Sequence, residues 1–210
     1  MKDFQADLSR YYALGASRRE VLLNPAVWAI FWYRMGRSIY GPGCPGWIRP
    51  PLKLLHVAGA VWFDAFLQMR LNVGAQIGPG LMIAHSGGIT LHPDVVIGTN
   101  CDLAHQVTIG SPGASGRGVP RIGDSVYIGT GAVIIGPIHV GDRARIGANS
   151  LVNRDVQKGA TVMGVPAAVV QRRDEDGTAE APRCAKVLAL PMKENGGASG
   201  NDGRQSWDVS

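Results

Sequence analysis

Apolar residues recur every six positions through the middle of the chain. They are Ile77, Ile83, Leu91, Ile97, Leu103 and Ile109, followed by Ile122, Ile128, Ile134, Val140, Ile146 and Val152. A period of six fits neither a helix of 3.6 residues per turn nor a simple β-hairpin. It predicts a mainly β protein built as a parallel β-helix, in which three six-residue repeats close one triangular coil.

The period is interrupted twice. The step from Ile83 to Leu91 is eight residues long, and the step from Ile109 to Ile122 is 13 residues long. We expect the excess in the longer step, within residues 111–121, to leave the coil as a Gly-rich loop. Binding groups concentrate in loops held by a regular scaffold. A tolerated insertion without a function is the alternative.

Helices are predicted before the repeats. Asn24-Pro25 is a helix start, because Asn caps free N–H groups and Pro fits the first turn, and this helix should extend to about residue 40. A second helix is predicted at residues 51–71 and a short polar helix within residues 1–23. The two longer helices are unusually apolar. We expect them to cover the open end of the coil or a subunit contact, with peripheral contact with a membrane as the alternative.

These patterns divide the chain into three parts. Residues 1–72 form an N-terminal helical region, residues 73–170 form the β-helix, and residues 171–210 form a polar tail. The Gly/Asn/Asp-rich composition predicts that the tail is largely disordered. No run of 18 apolar residues occurs, so no transmembrane helix is predicted.

Composition narrows the class of protein. The chain has 210 residues, 29 of them Gly, and a formal net charge of +5. That charge permits an anionic partner such as a phosphorylated cofactor, but no aromatic-plus-basic patch indicates nucleic acid. The cysteines, Cys44, Cys101 and Cys184, are odd in number and widely spaced, which favours a reducing compartment. The N-terminus does not resemble a signal peptide, so a cytoplasmic protein is expected.

Counting repeats places several side chains on one side of the coil. The third residues of four repeats on that side are His85, His105, Thr130 and Ala148. We expect them to form one column, with the two histidines on adjacent coils. No metal is expected, because a zinc site needs about three converging ligands.

His85 is the candidate for chemistry. It lies between Ala84 and Ser86-Gly87-Gly88, so its neighbours leave space beside the imidazole. A histidine in such a position suits general base catalysis at neutral pH. A histidine that is only hydrogen-bonded within a corner is the alternative.

Residues 70–170 resemble the serine acetyltransferase branch of the hexapeptide-repeat acyltransferases. The segments that carry the resemblance are Gly74-Ala75-Gln76-Ile77-Gly78-Pro79-Gly80, His85-Ser86-Gly87-Gly88-Ile89, Val107-Thr108-Ile109-Gly110 and Gly164-Val165-Pro166-Ala167. The resemblance covers about half of the chain. It implies a left-handed β-helix, a homotrimer and active sites between neighbouring subunits.

The resemblance also implies roles for single residues. His85 matches the histidine that removes the proton from the acceptor hydroxyl as that hydroxyl attacks acetyl-CoA. Thr130 and Ala148 match positions beside the pantetheine arm, and Thr161 and Gly164 match positions near the nucleotide end of the cofactor.

Three further residues are candidates for binding the substrate. His105 adjoins His85 in the predicted column. Arg117 and Arg121 lie in or beside the loop, where we expect one of them to contact an anionic substrate or a cofactor phosphate. For the two arginines, ordinary solvated surface charges are the alternative.

The chain departs from the family pattern at three positions. Arg70 and Ala84 replace two aspartates that orient the histidine and hold the serine, and Val119 replaces a second histidine. The loss of carboxylates weakens the match to an ammonium-bearing acceptor more than the match to a neutral one. Asp94, Asp102 or a backbone carbonyl remain as groups that could orient His85.

Three functions follow, in order of preference. The first is an acetyl-CoA-dependent O-acetyltransferase acting on a sugar or another small hydroxyl compound. The second is serine O-acetylation, which is the same chemistry with a different acceptor. The third is a catalytically inactive scaffold, which the loss of the aspartate at Arg70 favours.

Overall fold

The computed structural model describes residues 2–113 and 118–172. Four helices come first in the chain. They are α1 (Lys2–Ala13), α2 (Arg18–Leu23), α3 (Pro25–Tyr40) and α4 (Arg49–Leu67).

Fifteen short strands follow within the described residues, and nearly every third strand falls in the same sheet. Sheet A contains β1 (Met69–Arg70), β4 (Ile89–Leu91), β7 (Thr108–Gly110), β10 (Val133–Ile135) and β13 (Leu151–Val152). Sheet B contains β2 (Gln76–Ile77), β5 (Val96–Ile97), β8 (Arg121–Ile122) and β11 (His139–Val140). Sheet C contains β3 (Met82–Ile83), β6 (Asp102–Leu103), β9 (Tyr127–Ile128), β12 (Arg145–Ile146), β14 (Ala160–Met163) and β15 (Ala168–Arg172).

All strand pairs are parallel except β14 with β15. Three parallel sheets visited in rotation make the three-sided coil that the six-residue period predicts, so the parallel β-helix is confirmed. The apolar residue of each repeat points inward. Ile83, Leu91, Leu103, Ile128 and Ile146 are all less than 2% exposed.

The loop after β7 leaves the register of the coil unchanged. Ile97 pairs with Ile122 directly across the 13-residue step. The predicted excursion is therefore confirmed at both of its ends, while residues 114–117 lie outside the described part of the chain.

The start of α3 agrees with the sequence prediction. The Asn24 side-chain oxygen accepts a hydrogen bond from the backbone N–H of Ala26 at 2.9 Å, and Pro25 is the first helical residue. Such a helix N-cap residue provides a hydrogen-bond acceptor for an N–H group that otherwise has no partner inside the helix.

Two helix predictions need correction. The N-terminal segment forms two helices instead of one, because the chain breaks at Gly15, whose φ is +86°. Helix α4 ends at Leu67 rather than residue 71, since Gln68 has a φ of +49°. Strand β1 follows and pairs with β4. Pairing with a sheet edge therefore outweighs local helix propensity here.

Side chains of α1 and α3 bond to the open edge of the first coil. The Tyr33 hydroxyl donates to the carbonyl of Ala75 and accepts from the N–H of Ile77. The Tyr11 hydroxyl makes the same pair of bonds to Ile83, at 2.9 and 3.0 Å. These bonds replace the neighbouring strand that the first coil lacks. Burial raises the pKa of Tyr11 to about 12 and also raises the pKa of Tyr33.

A buried ion pair completes this contact. The Arg34 guanidinium donates to both carboxylate oxygens of Asp7, at 2.9 and 3.0 Å, and their side chains are 4% and 1% exposed. Arg34 also donates to the carbonyls of Ile77 and Gly78, and Asp7 accepts from the N–H of Leu81. We call these four side chains, Asp7, Tyr11, Tyr33 and Arg34, the cap.

Candidate active site

Sheet C builds the column that was predicted by counting repeats. Ile83, Leu103, Ile128 and Ile146 are in register on neighbouring strands. The residues two positions further along, His85, His105, Thr130 and Ala148, therefore follow one another along the same corner of the coil. Val162 is in register with Ile146, which places Gly164 in the same series. We call these five residues the column.

The corner repeats in the middle of the column because the residues after His105, Thr130 and Ala148 have left-handed backbone dihedrals. The φ angles are +59° at Gln106, +70° at Gly131 and +52° at Asn149. Backbone bonds connect successive turns: the N–H of Gly131 donates to the carbonyl of His105, and that of Asn149 to the carbonyl of Thr130. Gly131 adopts this conformation without steric cost because it has no Cβ, and Asn149 is of a residue type that adopts it more often than most.

The corner that carries His85 is wider than the others. The two extra residues of the eight-residue step lie here, and Gly87 accepts a backbone hydrogen bond from Gln106. Gly88 has a φ of +67°, and a Cβ at that position would approach the Cα of Gln106 to 3.0 Å. A larger residue would therefore push the widened corner away from the coil below it.

The two histidines of the column are neighbours. Their ring centroids lie 5.8 Å apart with an interplanar angle of 74°. His85 is exposed, and Ala84 beside it is exposed as well. The Nδ1 of His105 is buried and has no hydrogen-bond partner within the described residues.

Both carboxylates considered for orienting His85 have other neighbours. Asp102 forms an ion pair with Arg10 at 2.7 Å. Asp94 is exposed and lies 3.7 Å from the Nδ1 of His92. Neither contact includes His85, so His105 is the polar side chain that the fold places beside it.

The remaining predicted residues are distributed over two faces. Thr161 lies on β14 in sheet C, one residue before the position in register with Ile146. Arg121 is exposed on β8 in sheet B, on a different side of the coil from the column. Arg117 lies outside the described residues.

The structure shows what surrounds each of the three residues at which the chain departs from the family pattern. Arg70 forms a short ion pair with Asp64 at the end of α4, and Val119 is half-buried against the hydrophobic core. Ala84 adds no polar group beside the column. Within residues 2–113 and 118–172, no group of three or more His, Cys, Asp or Glu side chains is arranged to hold a metal ion.

Comparison with known proteins identifies the class first. Residues 120–154 match the family described as "Bacterial transferase hexapeptide (six repeats)". Two curated relatives are serine acetyltransferases. That of Mycobacterium tuberculosis is 32% identical over 169 residues, covering 80% of this chain and 70% of the relative. That of Escherichia coli K12 is 40% identical over 175 residues, covering 83% of this chain and 61% of the relative.

Solved structures agree with these relatives. Serine acetyltransferase of Neisseria gonorrhoeae superposes with a TM-score of 0.70 at 33% identity, covering 81% of this chain and 64% of that one. A serine acetyltransferase in complex with CoA superposes with a TM-score of 0.65 at 31% identity, covering 80% and 66% of the two chains. The chain thus spans between 61% and 70% of the length of these proteins.

The chain belongs to the serine acetyltransferase family of hexapeptide-repeat acyltransferases. The predicted family, the left-handed β-helix and the acyltransferase class are thereby confirmed. Acetyl-CoA is likewise confirmed as the co-substrate that goes with this class. Both curated relatives are named as serine acetyltransferases, which corresponds to the second predicted function, and neither is named for a sugar acceptor.

Proposed function

We propose that this protein transfers the acetyl group of acetyl-CoA to the hydroxyl of L-serine. The observation that carries the proposal is the position of His85 at the head of the column, in a chain 32% identical to a serine acetyltransferase over most of its length. The mild positive charge and the small residues around His85 are compatible with both substrates.

His85 is proposed as the general base. A neutral ring nitrogen takes the proton of the serine hydroxyl while the oxygen attacks the thioester carbonyl carbon. Collapse of the tetrahedral intermediate breaks the carbon–sulfur bond, and the imidazolium returns the proton to the departing CoA sulfur. Proton transfer by a positioned side chain is worth about 10²–10⁴-fold in rate.

The rest of the column is proposed to bind the cofactor. From His85 to Gly164 the column climbs four coils, which at about 4.8 Å per coil is about 19 Å. An extended pantetheine arm can lie along that length, past the backbones of Thr130 and Ala148, with Thr161 and Gly164 near the nucleotide end. This arrangement keeps the thioester beside His85.

His105 is proposed to act on His85 rather than on the acceptor directly. Its Nδ1 is buried, so a substrate has no direct access to that atom, whereas the ring of His85 is adjacent. We propose that His105 orients the ring of His85 through their edge-to-face contact. It would then supply the orientation that Arg70, paired with Asp64, does not provide.

We further propose that the protein is a homotrimer with a site between subunits. An exposed catalytic base needs a second wall to exclude water from the reacting groups, and His85 is exposed in the single subunit. Arg121, on sheet B, is proposed to reach the column of the neighbouring subunit together with Arg117. There they would contact a cofactor phosphate or an anionic substrate.

A sugar hydroxyl is the second candidate acceptor. It is favoured by Ala84, which is exposed beside His85 and offers no carboxylate to an ammonium group. A neutral acceptor loses little from this substitution, whereas serine loses a charge-assisted hydrogen bond.

The test is CoA release from acetyl-CoA with L-serine compared with a panel of sugars and nucleotide sugars. We expect release with serine, and a 10²–10⁴-fold lower kcat in His85→Ala. Tyr12→Ala is the control, because Tyr12 is 45% exposed on α1, outside both the column and sheet B, and we expect it to keep the wild-type rate. Release with sugars alone would move the assignment to the second acceptor. No release together with no CoA binding in calorimetry would indicate an inactive scaffold.

A further inference from the structure

The outer side of α4 is an apolar surface without a partner within the described residues. At about 100° per residue, one contiguous half of the helix circumference carries only apolar side chains. They are Leu54, Leu55, Val57, Ala58, Val61, Trp62, Ala65 and Phe66. We call this set the α4 face.

The large residues of the α4 face are exposed to an unusual degree. Leu54 is 74% exposed, Phe66 72%, Val61 62% and Trp62 51%. The opposite side of the helix packs on α3, where His56 is 5% exposed. Contiguous apolar surface of this kind marks an interaction site, whereas single exposed apolar residues need no explanation.

The apolar surface continues onto α2 and α3. A groove of about 460 Å³ is lined by Leu23, Trp28 and Trp62, which joins the α4 face to the start of α3. Trp28 also lines a second groove of about 490 Å³ together with Leu22 and Arg18. The surface therefore runs without a break from α4 to the basic start of α2.

The charges at the edge of this surface are mainly positive. Arg18 and Arg19 are exposed at the start of α2, and the ammonium of Lys53 lies 4.9 Å from the centre of the Tyr40 ring, at the edge of the α4 face. The two carboxylates nearby are already engaged. Glu20 accepts from the backbone N–H of Ser17, and Asp64 is paired with Arg70.

We propose that the α4 face and its basic edge dock onto the interface of an anionic phospholipid bilayer. A helix of 19 residues, about 28 Å long, would lie in the membrane plane with Trp62 and Phe66 among the acyl chains. Arg18, Arg19 and Lys53 would lie at the level of the anionic headgroups. Apolar faces bearing Trp, Phe and Leu beside basic residues bind membranes in this way.

The basic edge favours this occupant over a second copy of the chain. A two-fold contact uses the same surface on both copies, and the two carboxylates near this surface, Glu20 and Asp64, already have partners. None of the helices in the described ranges is long and apolar enough to cross a membrane. The proposal is independent of the acceptor and of the role of His85.

The first experiment is flotation of the full chain with vesicles. We expect recovery with vesicles of phosphatidylcholine and phosphatidylglycerol at least tenfold above recovery with pure phosphatidylcholine, and a decline as salt is raised. Quenching of tryptophan fluorescence by brominated phospholipid tests the same contact in the unaltered protein. Trp28 and Trp62 should be quenched when the anionic vesicles carry the bromine.

Variants then locate the contact. Trp62→Ser combined with Phe66→Ser should lower flotation at least tenfold. Val170→Ser, on a β15 residue that is 54% exposed, should leave flotation unchanged. Arg18→Glu combined with Arg19→Glu alters exposed residues only, so the helices should still form, and it should weaken binding to the anionic vesicles.

Three results would overturn the proposal. The first is a wild type that neither floats nor shows quenching, and the second is equal binding to neutral and anionic vesicles. The third is a Trp62/Phe66 variant that keeps flotation while its oligomer falls to half the wild-type mass. That last result would identify the α4 face as a contact between copies of this chain.

Discussion

The cap and the two histidines of the column are polar groups on the same β-helix, but their surroundings differ. The cap side chains are buried, and each bonds to backbone groups of the first coil, as Tyr11 does with both polar groups of Ile83. In the column, His85 is exposed and the buried Nδ1 of His105 has no partner in the described residues. Fully satisfied polar groups stabilise a fold, whereas unsatisfied ones are available for chemistry.

This comparison makes opposite predictions for substitutions in the two regions. Changes in the cap should lower the free energy of unfolding while the folded protein keeps its catalytic rate. Changes in the column should lower the rate and leave the free energy of unfolding nearly unchanged.

The largest expected effect is in the buried ion pair of the cap. Arg34→Met leaves the Asp7 carboxylate buried without its counter-charge, so the free energy of unfolding should fall by about 3–5 kcal/mol. Urea unfolding measures this. Arg70→Met is the matched control, because the Arg70–Asp64 pair is 59% and 37% exposed and should contribute at most about 1 kcal/mol. Equal losses in both variants would show that burial does not distinguish the two pairs.

A smaller loss is expected from Tyr11→Phe, which leaves the N–H and the carbonyl of Ile83 without partners. The free energy of unfolding should fall by about 1–3 kcal/mol. Tyr12→Phe, at a neighbouring residue that is 45% exposed, should change it by less than about 0.5 kcal/mol. A Tyr11→Phe protein as stable as the wild type would show that water replaces these bonds.

The raised pKa of Tyr11 adds a pH dependence to that comparison. The folded-state value of about 12 lies above the reference value of 10.0, so the contribution is complete below pH 10 and is lost as pH rises through 12. The alkaline loss of stability should therefore be smaller in Tyr11→Phe than in the wild type.

His105→Asn tests the column. Loss of its contact with His85 should lower kcat roughly tenfold, which is less than the loss expected for the base itself. KM for the acceptor should stay the same if His105 orients His85, and it should rise if His105 binds the acceptor. The pH profile of kcat should shift in the variant, and urea unfolding should match the wild type. A fall in stability with an unchanged rate per folded molecule would place His105 with the cap instead.

The smallest expected effect is on the pH dependence of the free energy of unfolding, through His56, a buried histidine outside both the cap and the column. Burial between α3 and α4 lowers the pKa of His56 below its reference value of 6.5. The folded state therefore loses stability as pH falls below 6.5 and through the lower folded-state value, because the unfolded chain binds the proton more tightly. His56→Gln should reduce this acid loss, and His139→Gln, at an exposed position, should not. Unfolding curves at several pH values decide between them.

The sequence predicted the column well and the cap poorly, for a physical reason. The inward residues of a β-helix repeat with a fixed period, so counting from Ile83 to Leu103 and Ile128 is enough to align His85, His105 and Thr130. Asp7 and Tyr11 lie on a helix that looks polar, and their backbone partners on the coil, Leu81 and Ile83, are more than 70 residues away. No local pattern encodes such a contact.

Two further features near the site could not be predicted from a sequence pattern either. The pairing of Arg70 with Asp64 depends on where α4 ends, and α4 ends earlier than its propensity predicts because β1 joins the sheet. The place of Gly164 in the column follows from the pairing of β12 with β14, after the six-residue period has already been lost.

The cap also limits the length of the β-helix. A stack of identical coils has no intrinsic length, since each edge is a template on which another coil, from the same chain or from another molecule, can grow. By occupying the backbone of Ala75, Ile77, Leu81 and Ile83 with side chains, α1 and α3 terminate growth at that end. Removal of the first 40 residues would therefore expose unpaired backbone groups at the edge of the first coil. We expect such a chain to associate end to end into filaments.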